Sequence, residues 1–438
     1  VGAPFGALEG VSAPTKPAPP EQPQVRATLA VTPTIPNNFC SFIEMIHATQ
    51  TQAAHFILRK NHLTATKASS VNQLVEAMVG LPGEPDFLPF LTAQARINNF
   101  GPVDLLIPLY QNHTLIKGVL MRSASYVVAA ERFATWLAAT TRQHNQDFNS
   151  EFRLWGLDNN EVEVLEKAIS DNPGDWPATA DQIANRLPQH LVREVTQTSR
   201  GGRVSTTSNV ALVLGWLVAK GVLGMRPGDA GATPRQRSVS HLIYAPLTHW
   251  YPDLNLADAP NEAEAQAALV QAYLAAFGPT SEADVSFWTG FGKSETARAI
   301  GALAAKTTLA LVEGIPGMLL LLKEQAEALP AIQPPVQPII NVLPADDPFT
   351  TAHRASRTRY FSDQKLQRHV FSSSGAAQPT ILVNGQVVGL WHWSEGDNQI
   401  TWRLLTQLDP ALFPLIQVEL ERIARFIQPD LPIVQENA

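Results

Sequence analysis

At 438 residues, with 45% hydrophobic and 16% charged residues, the chain is too long for one ordinary core and too apolar to be disordered, so two to four globular domains are expected. A formal net charge of −7 and a pI of about 5.9 do not announce a nucleic-acid binder, and any such affinity has to come from local basic surface. A single cysteine, Cys40, excludes a disulfide framework or multi-cysteine metal site, and Lys220 interrupts the best membrane-helix candidate, Val210 to Met225.

Residues 1–38 read as a disordered, proline-rich tail, with eight prolines up to Pro36. They show no charged segment followed by an apolar core, so no signal peptide is expected and the setting is cytoplasmic by default. From Phe39 the apolar spacing of Phe42, Ile43, Ile46, Ala53, Ala54, Ile57 and Leu58 predicts one long helix ending near Asn61-His62. Ser70 caps a second helix that ends at Gly80. The following loop, Leu81-Pro82-Gly83-Glu84-Pro85, cannot be helical, because each proline disfavours helix in the residue before it. Helices over Phe87 to Ile97 and Pro102 to Tyr110 follow, then a hairpin around Met121-Arg122 and a helix from Phe133 to Gln143. That makes a first module, residues 39–157.

A second module, 158–260, centres on the stretch from Ser208 to Tyr244. Val210, Val213, Leu214 and Leu217 fall on one face of a helix capped at Ser208 or Asn209. Val222 to Met225 and Leu242 to Tyr244 are two short strands, and the loop between them carries Arg226, Arg235 and Arg237. Upstream, Thr179 and Gln182 have capping-box spacing and open a short helix over Ile183, Ala184 and Leu187. Two helices, a strand, a basic loop and a strand are the order of a winged helix-turn-helix, which serves either to lay a helix along nucleic acid or as a protein–protein module. Helices followed by a hairpin recur in a third module, 261–329. After the linker prolines Pro330, Pro334, Pro335 and Pro338 comes a strand-rich domain, 330–438, with a hairpin at Asn384-Gly385 and a closing helix carrying Ile416, Leu420, Ile423 and Ile427. The fold class is therefore α+β, mainly α.

Gly292-Lys293-Ser294 is rejected as a phosphate loop, since Phe287 stands where a glycine is needed. No histidine pair has metal spacing with a carboxylate, no Gly-x-Ser-x-Gly elbow is present, and no metal or cofactor is expected. The most basic window runs from His353 to His369. Arg354, Arg357, Arg359, Lys365 and Arg368 face one acid, Asp363, with Tyr360 and Phe361 interleaved, a pattern suited to a phosphate backbone or to a solvated loop. Arg193, Arg200 and Arg203 form a weaker cluster.

Three blocks in order carry a resemblance. Phe277 to Asp284 with Phe287-Trp288 and Gly290, Leu343 to Phe349 with Arg354, and Val383 to Trp391 resemble segments of the winged-helix family of AlkZ-like DNA glycosylases, and Met121-Arg122 matches its strand motif. The similarity spans about Ala53 to Ile427. It implies three tandem winged helices and a strand-rich domain arranged concavely around double-stranded DNA, in a protein expected to be monomeric and free of the membrane. Family enzymes remove N7-alkylated purines, using a Gln-x-Gln or Gln-x-Asp pair in a loop that corresponds here to Gly80 through Pro85. Pro82 replaces the first glutamine and Glu84 falls at the second polar position, where a carboxylate suits a general base or an electrostatic stabiliser. Arg122, Arg200, Arg203, Arg235, Arg237 and the cations of the 353–369 window are the expected DNA contacts. A non-catalytic lesion sensor or regulator on the same scaffold, or a protein-interaction scaffold, stays open beside this.

Overall fold

The computed structural model describes residues 45–199, 201–228, 242–394, 396 and 398–436. Helix takes 45% and strand 21%, in several small sheets, which makes the fold α+β and mainly helical.

The chain begins with β1 (Ile46–Ala48) and α1 (Gln50–Lys60). This corrects the expected helix running back through Ile46, while its start at Phe39 lies outside the described residues. Thr49 and Gln52 form a reciprocal capping box that sets the helix start, and Ile46–Ala48 runs parallel to Ala310–Val312 instead. Then follow α2 (Val71–Ala77), β2 (Leu81–Pro82), α3 (Leu88–Gln94), α4 (Pro102–Tyr110), β3 (Leu115–Val119) and β4 (Ser125–Ala129). The sheet order is β2-β4-β3, antiparallel, so Pro82 sits on an edge strand, where its lack of an N–H is tolerated.

The second run is α5 (Ala130–Leu154), α6 (Asn159–Asp171), β5 (Ala178–Thr179), α7 (Ala180–Ala184), β6 (Glu194–Thr198), β7 (Val204–Ser208), α8 (Asn209–Ala219), β8 (Leu223–Pro227), β9 (Leu242–Pro246) and α9 (Leu247–Trp250). The sheet order β5-β9-β8 repeats that of the first run. Between α7 and α8 stands a ribbon, β6–β7, that the sequence reading missed, although Val195, Thr196, Thr198, Thr206 and Thr207 are β-branched and Gly201-Gly202 marks a turn. The third run is α10 (Glu262–Phe277), α11 (Glu282–Thr289), α12 (Lys293–Ala302), β10 (Thr307–Val312) and β11 (Leu319–Leu322). Here a single bridge from Thr280 to Leu320 takes the place of the first short strand, and β1 adds to β10 on the far side. Helix, short strand, helix, helix and two strands thus occur three times with the same pairing order.

The stretch at Ser208–Tyr244 needs a correction. α8 does bury Val210, Val213, Leu214 and Leu217, but its remaining face is apolar too, and Trp216 packs on Phe148 and Phe152 at ring-centroid distances of 5.2 and 6.4 Å. A helix whose second face is apolar, partly covered and without a cation offers nothing to a phosphate backbone.

The last region holds β12 (Ile340–Leu343), α13 (Pro348–Thr351), α14 (Gln367–Val370), β13 (Thr380–Val383), β14 (Gln386–Ser394), β15 (Gln399–Leu404), α15 (Phe413–Ile427) and β16 (Ile433–Gln435). Its five strands pair in the order β12-β13-β14-β15-β16. α15 closes one face, burying Ile416, Leu420 and Ile423 against Val342, Trp391 and Trp402. Each such side chain contributes about 1.5–3 kcal/mol on removal from water. Among the described residues no helix is long and apolar enough to cross a membrane.

Candidate nucleic-acid interface and reaction site

The Gly80–Pro85 loop is fixed by β4. Leu81 and Pro82 pair with Val127 and Tyr126, and the Gly83 N–H donates to the Ser125 carbonyl at 2.8 Å. A Cβ on Gly83 would lie 2.5 Å from Ser125 Oγ and 3.0 Å from the Ser125 carbonyl carbon, so this close approach requires glycine. Glu84 follows immediately.

Lys117, on β3, donates from Nζ to Glu84 Oε1 at 2.6 Å and also to Asp86 Oδ1. The lysine side chain is only 7% exposed, Asp86 17% and Glu84 52%, so one carboxylate is sheltered with the ammonium and the other stands half in solvent. Burial alone would lower the Lys117 pKa, but the charges of Glu84 and Asp86 outweigh it and raise the value above the usual lysine range. Two carboxylates around one ammonium leave the patch one negative charge. Such a site suits a positive charge developing beside it and a water molecule held by Glu84. Sequence reasoning missed Lys117 and Asp86, because nothing in a mostly apolar strand announces which carboxylates its one charged residue will meet.

Beyond Lys117 lies a cavity of about 20 Å³ whose lining includes Tyr110, His113, Arg226, Trp250 and Tyr251. That is water-sized and far too small for a purine. Arg226 stacks on Trp250 at 4.4 Å.

Of the expected DNA contacts, Arg122, Arg203, Arg354, Lys365 and Arg368 are exposed. Arg203 stands at the tip of the β6–β7 ribbon. Arg122 and Arg354 both approach the ring of Phe287, at 4.3 and 5.2 Å from its centroid, although more than 200 positions separate them in the chain. Arg357 is buried beside them and donates to the Gly375 carbonyl at 2.9 Å. Arg359 is a correction: it is buried, and its guanidinium donates to the Ser356 carbonyl, the Ser356 hydroxyl and the Pro279 carbonyl, so it fastens the fold and cannot reach a phosphate. Arg200, Arg235 and Arg237 lie outside the described residues. Among the described residues, no group of three or more histidine, cysteine or acidic side chains is placed to hold a metal.

A family model described as "DNA glycosylase AlkZ-like" matches residues 75–426. The chain belongs to the AlkZ-like DNA glycosylase family. Membership implies a DNA substrate. Among solved structures, the DNA glycosylase AlkZ of Streptomyces sahachiroi aligns over 89% of this chain and 100% of its own, with a TM-score of 0.68 at 18% sequence identity, a likeness that establishes the fold. No curated protein matches the sequence.

In this AlkZ-like chain the blocks that carried the resemblance do structural work. Asp284 Oδ1 accepts from the backbone N–H groups of Arg354, Ala355 and Ser356 at 2.7, 2.6 and 3.3 Å. Its Oδ2 accepts from the hydroxyls of Ser356 and Ser281. Burial would raise the Asp284 pKa, but His353, those two hydroxyls and Arg359 together bring it down to about 2. Asp347 takes both terminal nitrogens of Arg96, at 2.8 and 2.6 Å, and Trp391 Nε1 donates to the Leu343 carbonyl at 2.8 Å. These bonds hold the 344–379 loop and its arginines in place against α11 and α3.

Proposed function

We propose that this protein is a DNA glycosylase that releases N7-alkylated purines from duplex DNA, with Glu84 as its reacting carboxylate. On this reading residues 39–157, 158–260 and 261–329 are three winged helices, 330–438 is a strand-rich domain, and the monomer lays its cations, Arg122, Arg203, Arg354, Lys365 and Arg368 among them, along the duplex. The thrice-repeated strand pairing supports the modular division. The observation that carries the chemistry is the half-exposed Glu84 carboxylate held by the buried ammonium of Lys117.

An N7-alkylated purine is already cationic, so it leaves as a neutral base when the C1′–N9 bond breaks and that electron pair returns to the ring. Positive charge then grows on the sugar, and the net-negative patch at Glu84 stabilises it. The oxygen of a water molecule bonds to C1′, and its proton passes to Glu84, which returns it to solvent. Lys117 occupies one carboxylate oxygen and thereby orients the other.

A second reading, a lesion sensor or regulator that binds DNA without cutting it, is favoured by two features. Pro82 has no side-chain group to hold water, and one Glu84 oxygen is already taken by the Lys117 ammonium. Incubation with duplex containing N7-methylguanine, followed by a count of abasic sites, separates the two. Release by the unaltered chain that is lost in Glu84→Gln supports excision. Binding without release at any dose supports the sensor.

A further inference from the structure

Arg122, Arg354 and Arg357 form a cluster whose like charges repel and which has no carboxylate at ion-pair distance among the described residues. Asp346, which feels the charge of Arg122 without pairing with it, accepts the Ala377 N–H at 2.7 Å, and Asp284 accepts from the backbone of residues 354–356 and from two serine hydroxyls. Gly375 lets Arg357 lie close to the Phe287 ring. A Cβ there would lie 3.2 Å from the Phe287 ring and 3.4 Å from Arg357 Nη2, and the residue's φ of +99° is itself a glycine conformation.

Two further observations point to an anion. Arg357 is 9% exposed, stacks on Phe371 at 3.5 Å, and leaves its Nε with no hydrogen-bond partner. That nitrogen is sealed from solvent, so it takes no outside ligand, and Arg357 contributes positive charge beneath the two exposed guanidiniums. Burial, with repulsion from Arg354 and Arg122, lowers the Arg357 pKa to about 10 even though Tyr360 and Asp284 act the other way.

The second observation is the turn that presents Arg122. Arg122 and Ser123 both have left-handed backbones, with φ of 57° and 52°, and the Ala124 N–H donates to the Met121 carbonyl at 3.1 Å. Leu120 and Ala124 close a three-residue turn whose second and third residues are left-handed, a conformation that side-chain-bearing residues rarely adopt. Two side-chain-bearing residues in those positions are strained, and the surroundings hold them there: Met121 is fully buried and Ser123 Oγ donates to Asp147 at 2.7 Å. The strain serves to aim an arginine at the ring of Phe287.

We propose that Arg122 and Arg354 together grip one phosphate of the DNA backbone above the buried charge of Arg357, with Phe287 as the platform that keeps both guanidiniums in place. Flat, forked guanidiniums suit a tetrahedral phosphate better than ammonium groups would. The grip registers one strand against the reaction loop, because Gly83 is bonded to Ser125, three residues along the chain from Arg122.

This proposal rests on the DNA-binding reading above. Duplex binding by the full chain is measured against salt concentration for the unaltered protein, Arg122→Gln, Arg354→Gln and the double variant. Both residues are exposed, and thermal melts verify that the variants fold. Each single substitution is expected to lower the log–log salt slope by no more than about one, and the double also by about one, since the two address the same phosphate. Duplexes with a single neutral methylphosphonate linkage are expected to show one position where the unaltered chain loses about tenfold in affinity and the double variant loses nothing further. A double variant whose slope is unchanged, or falls by about two, overturns the shared-phosphate assignment. Inorganic phosphate that raises the melting temperature of the unaltered chain but not of the double variant, with the salt slope untouched, marks a free-phosphate site and overturns the DNA assignment. No salt-dependent duplex binding by the unaltered chain overturns the DNA-binding reading itself and this proposal with it.

Discussion

Asp347 and Glu84 each meet a cation, but the Asp347–Arg96 pair is fully buried, whereas Glu84 keeps 52% of its side chain in solvent above Lys117. Arg96 spends its remaining donors on the Asn61 and Thr92 carbonyls, and Asp347 also caps α13 through the Phe349 N–H. Every polar atom of that pair is committed to tying the end of α3 to the 344–379 loop. Glu84 is tied at one oxygen only. The difference separates a charge that specifies the fold from a charge left open to solvent.

The contrast is broken most forcefully at the buried pair. Asp347→Ala strands the Arg96 guanidinium in the interior and is expected to cost about 3–5 kcal/mol of stability, read as a shift of the urea midpoint at constant slope. A loss under about 1 kcal/mol would mean that Arg96 finds solvent and that the pair is not the anchor described.

Asp284, the other buried motif acid, sharpens the comparison through pH. Its folded pKa lies near 2, below the unfolded value of 3.8, so its stabilisation is present above about pH 4 and is lost as pH falls through the folded pKa. The expected loss is on the order of 2 kcal/mol between about pH 4 and pH 2. Asp284→Asn removes the titrating group, so its stability-versus-pH curve should be flatter across that window. Parallel curves would disprove the assignment.

Lys117 lies between the two extremes. Lys117→Met leaves Glu84 and Asp86 facing each other without their shared ammonium and is expected to cost about 1–3 kcal/mol at neutral pH. The folded pKa is raised, so this contribution is complete below the unfolded lysine value and disappears as pH rises through the folded one. Stability curves of the unaltered chain and the Lys117→Met variant should therefore converge in alkali, and a constant gap would show that Lys117 acts through packing alone.

Much of this scaffold was legible in the sequence for a physical reason. Capping residues such as Thr179 and Ser70, and hairpin signals such as Asn384-Gly385, are local, and the structure places helices and turns where they stand. Where the reading failed, the deciding partner was distant. Ile46 belongs to a strand because Ala310 lies beside it, and Arg359 is inert because the Pro279 carbonyl and Ser356 fill its guanidinium. The basic residues of the 353–369 window looked equivalent, yet only tertiary packing decides that Arg354 reaches solvent and Arg359 does not. In the 80–85 loop, Glu84 stood out by its place in a motif, whereas nothing local marked Lys117 as its partner.

Glu84→Gln is the substitution that should change stability least. Its side chain is half-exposed, and a surface ion pair is weak, so the stability change is expected to stay within about 0.5–1 kcal/mol. The substituted amide keeps an oxygen that accepts from Lys117, but it is neutral and takes no proton from water. If Glu84 is the reacting carboxylate, release of N7-methylguanine should fall about 100-fold or more while duplex affinity and its salt dependence are retained. A parallel collapse of stability and release would place Glu84 with Asp347 among the residues that hold the fold. Full release by a stably folded Glu84→Gln variant would move the chemistry elsewhere and leave Lys117 as the holder of a solvated loop.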